Sequence, residues 1–146
     1  MYLDGAHNPG AIAAFCDSVQ ALKEQSAGAE RSQEESLPVI LFSAVEDKEY
    51  ESMIADLCSR IPAKAYVVTE VDDRRRVSAK KLKSVFEQYT ESPVFAGEDL
   101  LDAWKLALSL KEKHGRMYCL GSLYLVGMVK EHILKTSNPA IDKEEV

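Results

Sequence analysis

The stretch Leu3-Asp4-Gly5-Ala6-His7-Asn8-Pro9 changes structural character twice in a few residues. Tyr2 and Leu3 read as the end of an apolar strand, and Gly5 breaks it. Asn8 then suits a helix N-cap, and Pro9 suits the first helical position, where a missing N–H is no loss. A carboxylate, a flexible glycine and an imidazole are thereby set on a strand-to-helix turn. In open α/β sheets such turns are where ligands bind.

Downstream the same unit recurs. Ile12, Phe15, Cys16, Val19 and Leu22 fall at three- and four-residue steps, which predicts a helix from Pro9 to about Gln25 with these residues on one buried stripe. The polar segment Ser26 to Ser36 reads as an exposed loop. Pro38 introduces Val39-Ile40-Leu41-Phe42, a continuous apolar run of the kind found in a parallel strand covered on both faces. After Val45-Glu46-Asp47-Lys48-Glu49, the residues Tyr50, Met53, Ile54, Leu57, Cys58 and Ile61 give a second amphipathic helix, ended by Pro62. Ala65 to Thr69 is the third strand. A charged linker, Glu70 to Val77, leads to a helix capped by Ser78, with Leu82, Val85, Phe86 and Tyr89 facing inward.

Pro93 to Ala96 is a short fourth strand, and Gly97 ends it. A helix from about Asp99 to Lys113 carries Leu100, Leu101, Trp104, Ala107, Leu108 and Leu110, and Gly115 is its stop. Met117 to Leu120 is the fifth strand. Gly121-Ser122 then turns the chain into a last helix bearing Leu123, Val126, Met128, Val129, Ile133 and Leu134, closed by Asn138-Pro139. Residues 141–146 form an acidic tail expected to fray. Strands alternating with helices of about 12 residues indicate βαβ units, hence an α/β chain folded as a three-layer α/β/α, Rossmann-like domain with a mainly parallel five-stranded sheet. Right-handed crossovers bring all the strand C-terminal ends to one edge.

The 146 residues suit one domain, and the net charge of −6 argues against a nucleic-acid binder, which needs a basic surface to meet phosphates. Cys16, Cys58 and Cys119 are an odd number set among apolar neighbours, which points to reduced, buried thiols in a cytoplasmic protein. No cysteine and histidine spacing suggests a metal site, and no apolar run approaches the roughly 20 residues that span a bilayer. Arg74, Arg75, Arg76, Lys80, Lys81 and Lys83 make a basic run. Asp72, Asp73 and Glu87 flank it, so it reads as a solvated face. The sequence opens inside a strand, which points to Met1 as the start of a piece of a longer protein.

No GxxxxGK[ST] phosphate loop, GxGxxG fingerprint or nucleophile elbow occurs, so any function rests on the strand-end loops. In the first, Asp4 could accept from both hydroxyls of a ribose diol, and His7, just before a helix, should be mostly neutral. Both residues could equally serve turn amides. In the fifth, Ser122 is a plain N-cap or, with the helix-start amides, a grip for a carboxylate or phosphate. Asp47 and Lys48 in the second are an ion pair, a helix-entry cap or a ligand contact. His114 and His132 lie near helix ends without a metal partner in sequence.

Asp4-Gly5-Ala6-His7-Asn8-Pro9, Asp47-Lys48 and Gly121-Ser122-Leu123-Tyr124-Leu125 together resemble the folylpolyglutamate synthase and dihydrofolate synthase branch of the Mur-type ligases. The resemblance implies that residues 1–140 form the C-terminal, glutamate-ligase domain, with strand order 1-5-2-3-4. It implies an ATP-dependent, ADP-forming carbon–nitrogen ligase that adds L-glutamate to folates through an acyl phosphate, with dihydrofolate synthase activity as a further option. Asp4 would hold the ATP ribose. His7 and Ser122 would bind glutamate, and Gly5, Asn8, Asp47, Lys48, Gly121 and Tyr124 would line the site. ATP and Mg²⁺ would be bound mainly by an N-terminal phosphate-loop domain of the same polypeptide that this sequence does not contain. No catalytic residue and no metal ligand is expected here, and the chain alone should be inactive. The rivals are another Mur-type amino-acid ligase and a non-catalytic α/β binding module.

Overall fold

Val39–Phe42 (β2) and Ala65–Thr69 (β3) are buried at every position, because each strand is covered on both faces and has a strand on either side. The computed structural model of the chain describes residues 2–27, 37–46, 49–113 and 115–136. Its other elements are Tyr2–Leu3 (β1), Pro9–Ala27 (α1), Tyr50–Arg60 (α2), Ala79–Tyr89 (α3), Val94–Gly97 (β4), Leu100–Leu110 (α4), Met117–Leu120 (β5) and Leu123–Thr136 (α5). One parallel sheet runs in the order β1-β5-β2-β3-β4, with two-residue β1 and four-residue β4 at its edges. β5 is the last strand in the chain but lies between β1 and β2, so Leu3 pairs with Cys119 and Phe42 with both Leu120 and Val68.

Strand alternation divides the core. Ile40, Phe42, Tyr66, Val68, Tyr118 and Leu120 face α1, α2 and α3, whose Ile12, Phe15, Ile54, Leu57, Leu82 and Phe86 complete one cluster. Val39, Leu41, Val67, Met117 and Cys119 face α4 and α5, where Ala103, Trp104, Ala107, Leu125 and Val129 complete the other. Arg60 fastens α2 to α1, donating to the Ala13 carbonyl at 3.2 Å and to the Asp17 carboxylate.

The helix starts follow local capping chemistry. Asn8 Oδ1 accepts from the Ala11 amide at 2.8 Å, Ser78 Oγ from Lys81 at 3.1 Å and Asp99 Oδ1 from Asp102 at 2.9 Å. Two inward-facing expectations need correction: Leu22 is 53% exposed and Tyr89 44%, both toward the C-terminal ends of their helices, where Tyr89 is the last residue of α3. α1 reaches Ala27, so Ser26 is helical rather than loop, and Gly97 belongs to β4. α4 stops at Leu110, and Lys111 serves as its C-cap. The remainder of the predicted polar loop (28–36), Asp47, Lys48, His114 and residues 137–146 lie outside the described residues.

The basic run pairs locally with its acidic neighbours. Arg75 meets Asp73 at 3.3 Å and Arg76 meets Glu70 at 3.1 Å. The hydrogen bonds from Arg75 hold the Asp73 carboxyl below the usual carboxylate range. Burial pushes the Cys16 and Cys58 thiols up to about 11 and Cys119 to about 12. At neutral pH all three are therefore thiols, poor nucleophiles and poor metal ligands.

Candidate functional site at the C-terminal edge of the sheet

The pairing of β1 with β5 decides which loops meet. The Asp4 amide still donates to Cys119 at 3.2 Å, as the last rung of that ladder. Beyond it the chain leaves the sheet, and the loop of residues 4–8 settles against Gly121. The Gly121 amide donates to the Ala6 carbonyl at 2.8 Å, joining the first and fifth strand-end loops. Ala6 is buried accordingly.

Gly121 has φ +97°, a left-handed conformation that only glycine adopts without strain. A Cβ there would overlap the Ser43 carbonyl and approach the Phe42 ring at 2.8 Å. The end of β2 thus forms the wall behind this turn. Ser43 has no sequence signal for such a role, because it acts through its backbone carbonyl.

Asp4 Oδ1 accepts from the Ala6 amide at 2.9 Å, closing a tight turn. The second carboxylate oxygen has no partner among the described residues. His7 Nδ1 lies 2.7 Å from the Gly5 carbonyl. A carbonyl oxygen only accepts, so Nδ1 carries a proton, and in that tautomer of the neutral imidazole Nε2 is an acceptor. Nε2 has no partner among the described residues. Ser122 Oγ accepts from the Tyr124 amide at 3.1 Å and from Leu125 at 3.4 Å, which makes it the N-cap of α5. Its hydroxyl hydrogen remains available to donate. The two sequence-level readings of these residues are therefore compatible: each serves a local turn or cap and keeps one polar atom in reserve.

Two helices, α1 and α5, begin at these two loops, and their N-terminal amides carry partial positive charge. The site is an open edge. Asn8 is exposed, Asp4, Gly5 and His7 are half-buried, and Gly121 and Ser122 are buried. Asp4 also borders an apolar hollow of about 190 Å³ with Phe15, Val19, Leu22, Arg116 and Tyr118. Tyr124 borders a different space, a polar cleft of about 360 Å³ with Glu70, Arg76, Glu98 and Met128. The structure thus unites Asp4, Gly5, His7, Asn8, Gly121 and Ser122, whereas Tyr124 also reaches the loops after β3 and β4. A contact that sequence reasoning missed is Leu123 on Gly5, where an added Cβ would lie 2.5 Å from Leu123 Cδ2. Nothing local in the sequence relates those two positions.

The second oxygen of Asp4 can accept a hydrogen bond from a hydroxyl. Among the described residues no group of three or more His, Cys, Asp or Glu side chains could hold a metal ion. Nor is any described helix long and apolar enough to cross a membrane.

No protein-family model matches the sequence, and no curated protein matches it either. The fold does have counterparts. It superimposes on E. coli FolC, in complex with DHPP and ADP, with a TM-score of 0.73 and 17% identity over 90% of this chain. It superimposes on a Mycobacterium tuberculosis folylpolyglutamate synthase, complexed with ADP and AMPPCP, at 0.67 and 22% over 88%. The Thermotoga maritima folylpolyglutamate synthase gives 0.62 and 25% over 92%. The chain spans only 28%, 28% and 27% of those three proteins, respectively. It shares the fold of one part of structures named folylpolyglutamate synthase.

Proposed function

We propose that the chain is the C-terminal, substrate-positioning domain of an ATP-dependent ligase that joins L-glutamate to a folate. Residues 1–140 would form that domain, and a preceding domain of the same polypeptide would bind the nucleotide phosphates, Mg²⁺ and most of the folate. Bound there, ATP would activate the folate carboxylate as an acyl phosphate. The observation that carries the reading is the Gly121–Ala6 hydrogen bond, which makes one surface of the Asp4–Asn8 loop and the Ser122 cap. Likeness of fold to synthases crystallised with ADP supports it.

On this reading, the unpaired oxygen of Asp4 accepts from the ribose. His7 Nε2 accepts a hydrogen bond from the amino group of glutamate, and the Ser122 hydroxyl donates to one of its carboxylates beside the N-terminus of α5. Gly5, Asn8, Gly121 and Tyr124 line the surface, and Asp47 and Lys48, outside the described residues, belong to the proposal by sequence resemblance alone. Holding amine and acyl carbon together can supply several kcal/mol of the barrier.

In the full-length enzyme, His7→Ala and Ser122→Ala should each raise the KM for glutamate roughly ten- to a hundredfold, the worth of a hydrogen bond to a charged group. The KM for ATP should hardly change. Ser122→Asp keeps a capping oxygen but sets a charge against the substrate carboxylate, so it should be at least as damaging for glutamate. Equal effects on both substrates would defeat the assignment. With no metal donor set among its described residues and no phosphate loop in its sequence, the isolated chain should release no ADP in a glutamate-dependent assay, and measurable release would overturn the division of labour.

A further inference from the structure

Leu123 is a large apolar side chain in the first turn of α5, and it is 59% exposed. Its position explains the glycine opposite. Gly121 has the single positive-φ glycine conformation among the described residues, so Gly5 is not required for its backbone angles. What an alanine at Gly5 lacks is room, since its Cβ would come within 2.5 Å of Leu123 Cδ2. The Leu123 side chain therefore rests on the bare backbone of Gly5. Gly5 is also the residue whose carbonyl accepts from His7 Nδ1, while the next carbonyl, Ala6, is held by the Gly121 amide. Adjacent peptide units are thus clamped by consecutive parts of the fifth loop, one by a hydrogen bond and one by a side chain.

We infer that Leu123 is a positioning residue: seated on Gly5, its side chain holds the carbonyl that orients the His7 imidazole. The inference deepens the ligase reading by adding a residue that fixes the pose of His7 without touching substrate. Because Leu123 is largely solvent-exposed, its loss should be felt in the loop more than in the fold.

Hydrogen exchange and imidazole NMR on the unliganded chain test this directly. In Leu123→Ala, the Ala6 and Gly121 amides should exchange roughly tenfold faster, the scale of a local opening. Val67 and Val68 in β3 should keep their protection, and His7 should pass from a single Nδ1–H tautomer to a mixture. Leu123→Met should restore both signals. Gly5→Ala, which displaces the far end of Leu123, should reproduce the loop effect and add nothing in the Leu123→Ala background. An unchanged His7 tautomer, acceleration spread evenly over the sheet, or additive effects of the two substitutions would each overturn the inference. These readouts need no ligand. Failure of His7→Ala to alter glutamate binding would remove the ligase reading and leave the Leu123 result standing.

Discussion

Gly121→Ala should cost the domain roughly 3–5 kcal/mol, a large share of what holds a domain of this size together. Two separate penalties combine. An L-residue at φ +97° is strained wherever it sits. The new methyl would also overlap the Ser43 carbonyl and crowd the Phe42 ring. Ser43 is backbone at the end of a buried central strand, so it cannot rotate away as a flexible side chain would. Relief must come from moving Gly121, which stretches its hydrogen bond to Ala6. Thermal unfolding should therefore show a fall on the order of 10 °C, together with loss of protection at the Gly121 amide. Gly127→Ala is the natural control. That glycine lies within α5 with nothing inside 4 Å of an added Cβ, so alanine there should stabilise by roughly 0.5–1 kcal/mol. Equal and small effects at the two positions would remove Gly121 as the hinge between the loops.

The contrast between the two glycines shows what the sequence makes legible. Gly121-Ser122 after an apolar run, followed by a helical pattern, marks a turn and a cap, and the cap is present at Ser122. The α/β alternation is legible for the same reason: Val39–Phe42 and Ala65–Thr69 are too short and too uniformly apolar for helices, and their neighbours repeat at helical spacing. Periodicity says which side of a helix is apolar, but not how far the neighbouring elements extend. Leu22 and Tyr89 lie on the correct faces near helix ends and are nevertheless exposed. The meeting of the loops that carry His7 and Ser122 depends on β5 lying beside β1, a long-range pairing that spacing alone does not encode. The Leu123–Gly5 contact is a consequence of the same pairing.

Electrostatics sharpen the reading of the edge. Overall the chain is acidic, at −6, yet two helix N-termini open onto the Asp4–Asn8 and Gly121–Ser122 loops. A small anion is favoured there over its surroundings, while the cleft beside Tyr124, bordered by Glu70 and Glu98, disfavours one. Under the proposed reading, an amino acid with two carboxylates and one ammonium group would suit this juxtaposition: the helix ends and Ser122 would face a carboxylate, and His7 Nε2 the amine.

Phe86→Ala should destabilise the fold by about 3–5 kcal/mol, as expected for emptying a large aromatic site in a close-packed interior. Phe86 is fully buried on the inner face of α3. Its ring meets Phe42 edge-on at 5.3 Å and 76°, and lies against Tyr66 at 4.8 Å and 40°. The substitution thus removes two aromatic contacts as well as buried area. Tyr66 is pinned by its hydroxyl, which donates to the Ile61 carbonyl at 3.3 Å, so it cannot swing in to fill the space. Phe42 is less constrained, and its movement has a consequence at the site. The same ring backs Gly121, where a Cβ would lie 2.8 Å from Phe42 Cε2. A chain of contacts therefore runs from α3 through Phe86, Phe42 and Gly121 to the Ala6 carbonyl, from the centre of the core to the loop bearing Asp4 and His7. Denaturant titration should show the lower midpoint with an unchanged slope. Hydrogen exchange should show the Gly121 amide losing more protection than the amides of α5 beyond Val129, which pack on the opposite face of the sheet. Uniform loss throughout the chain would mean that the site loops are supported by overall stability alone, and not by this aromatic column.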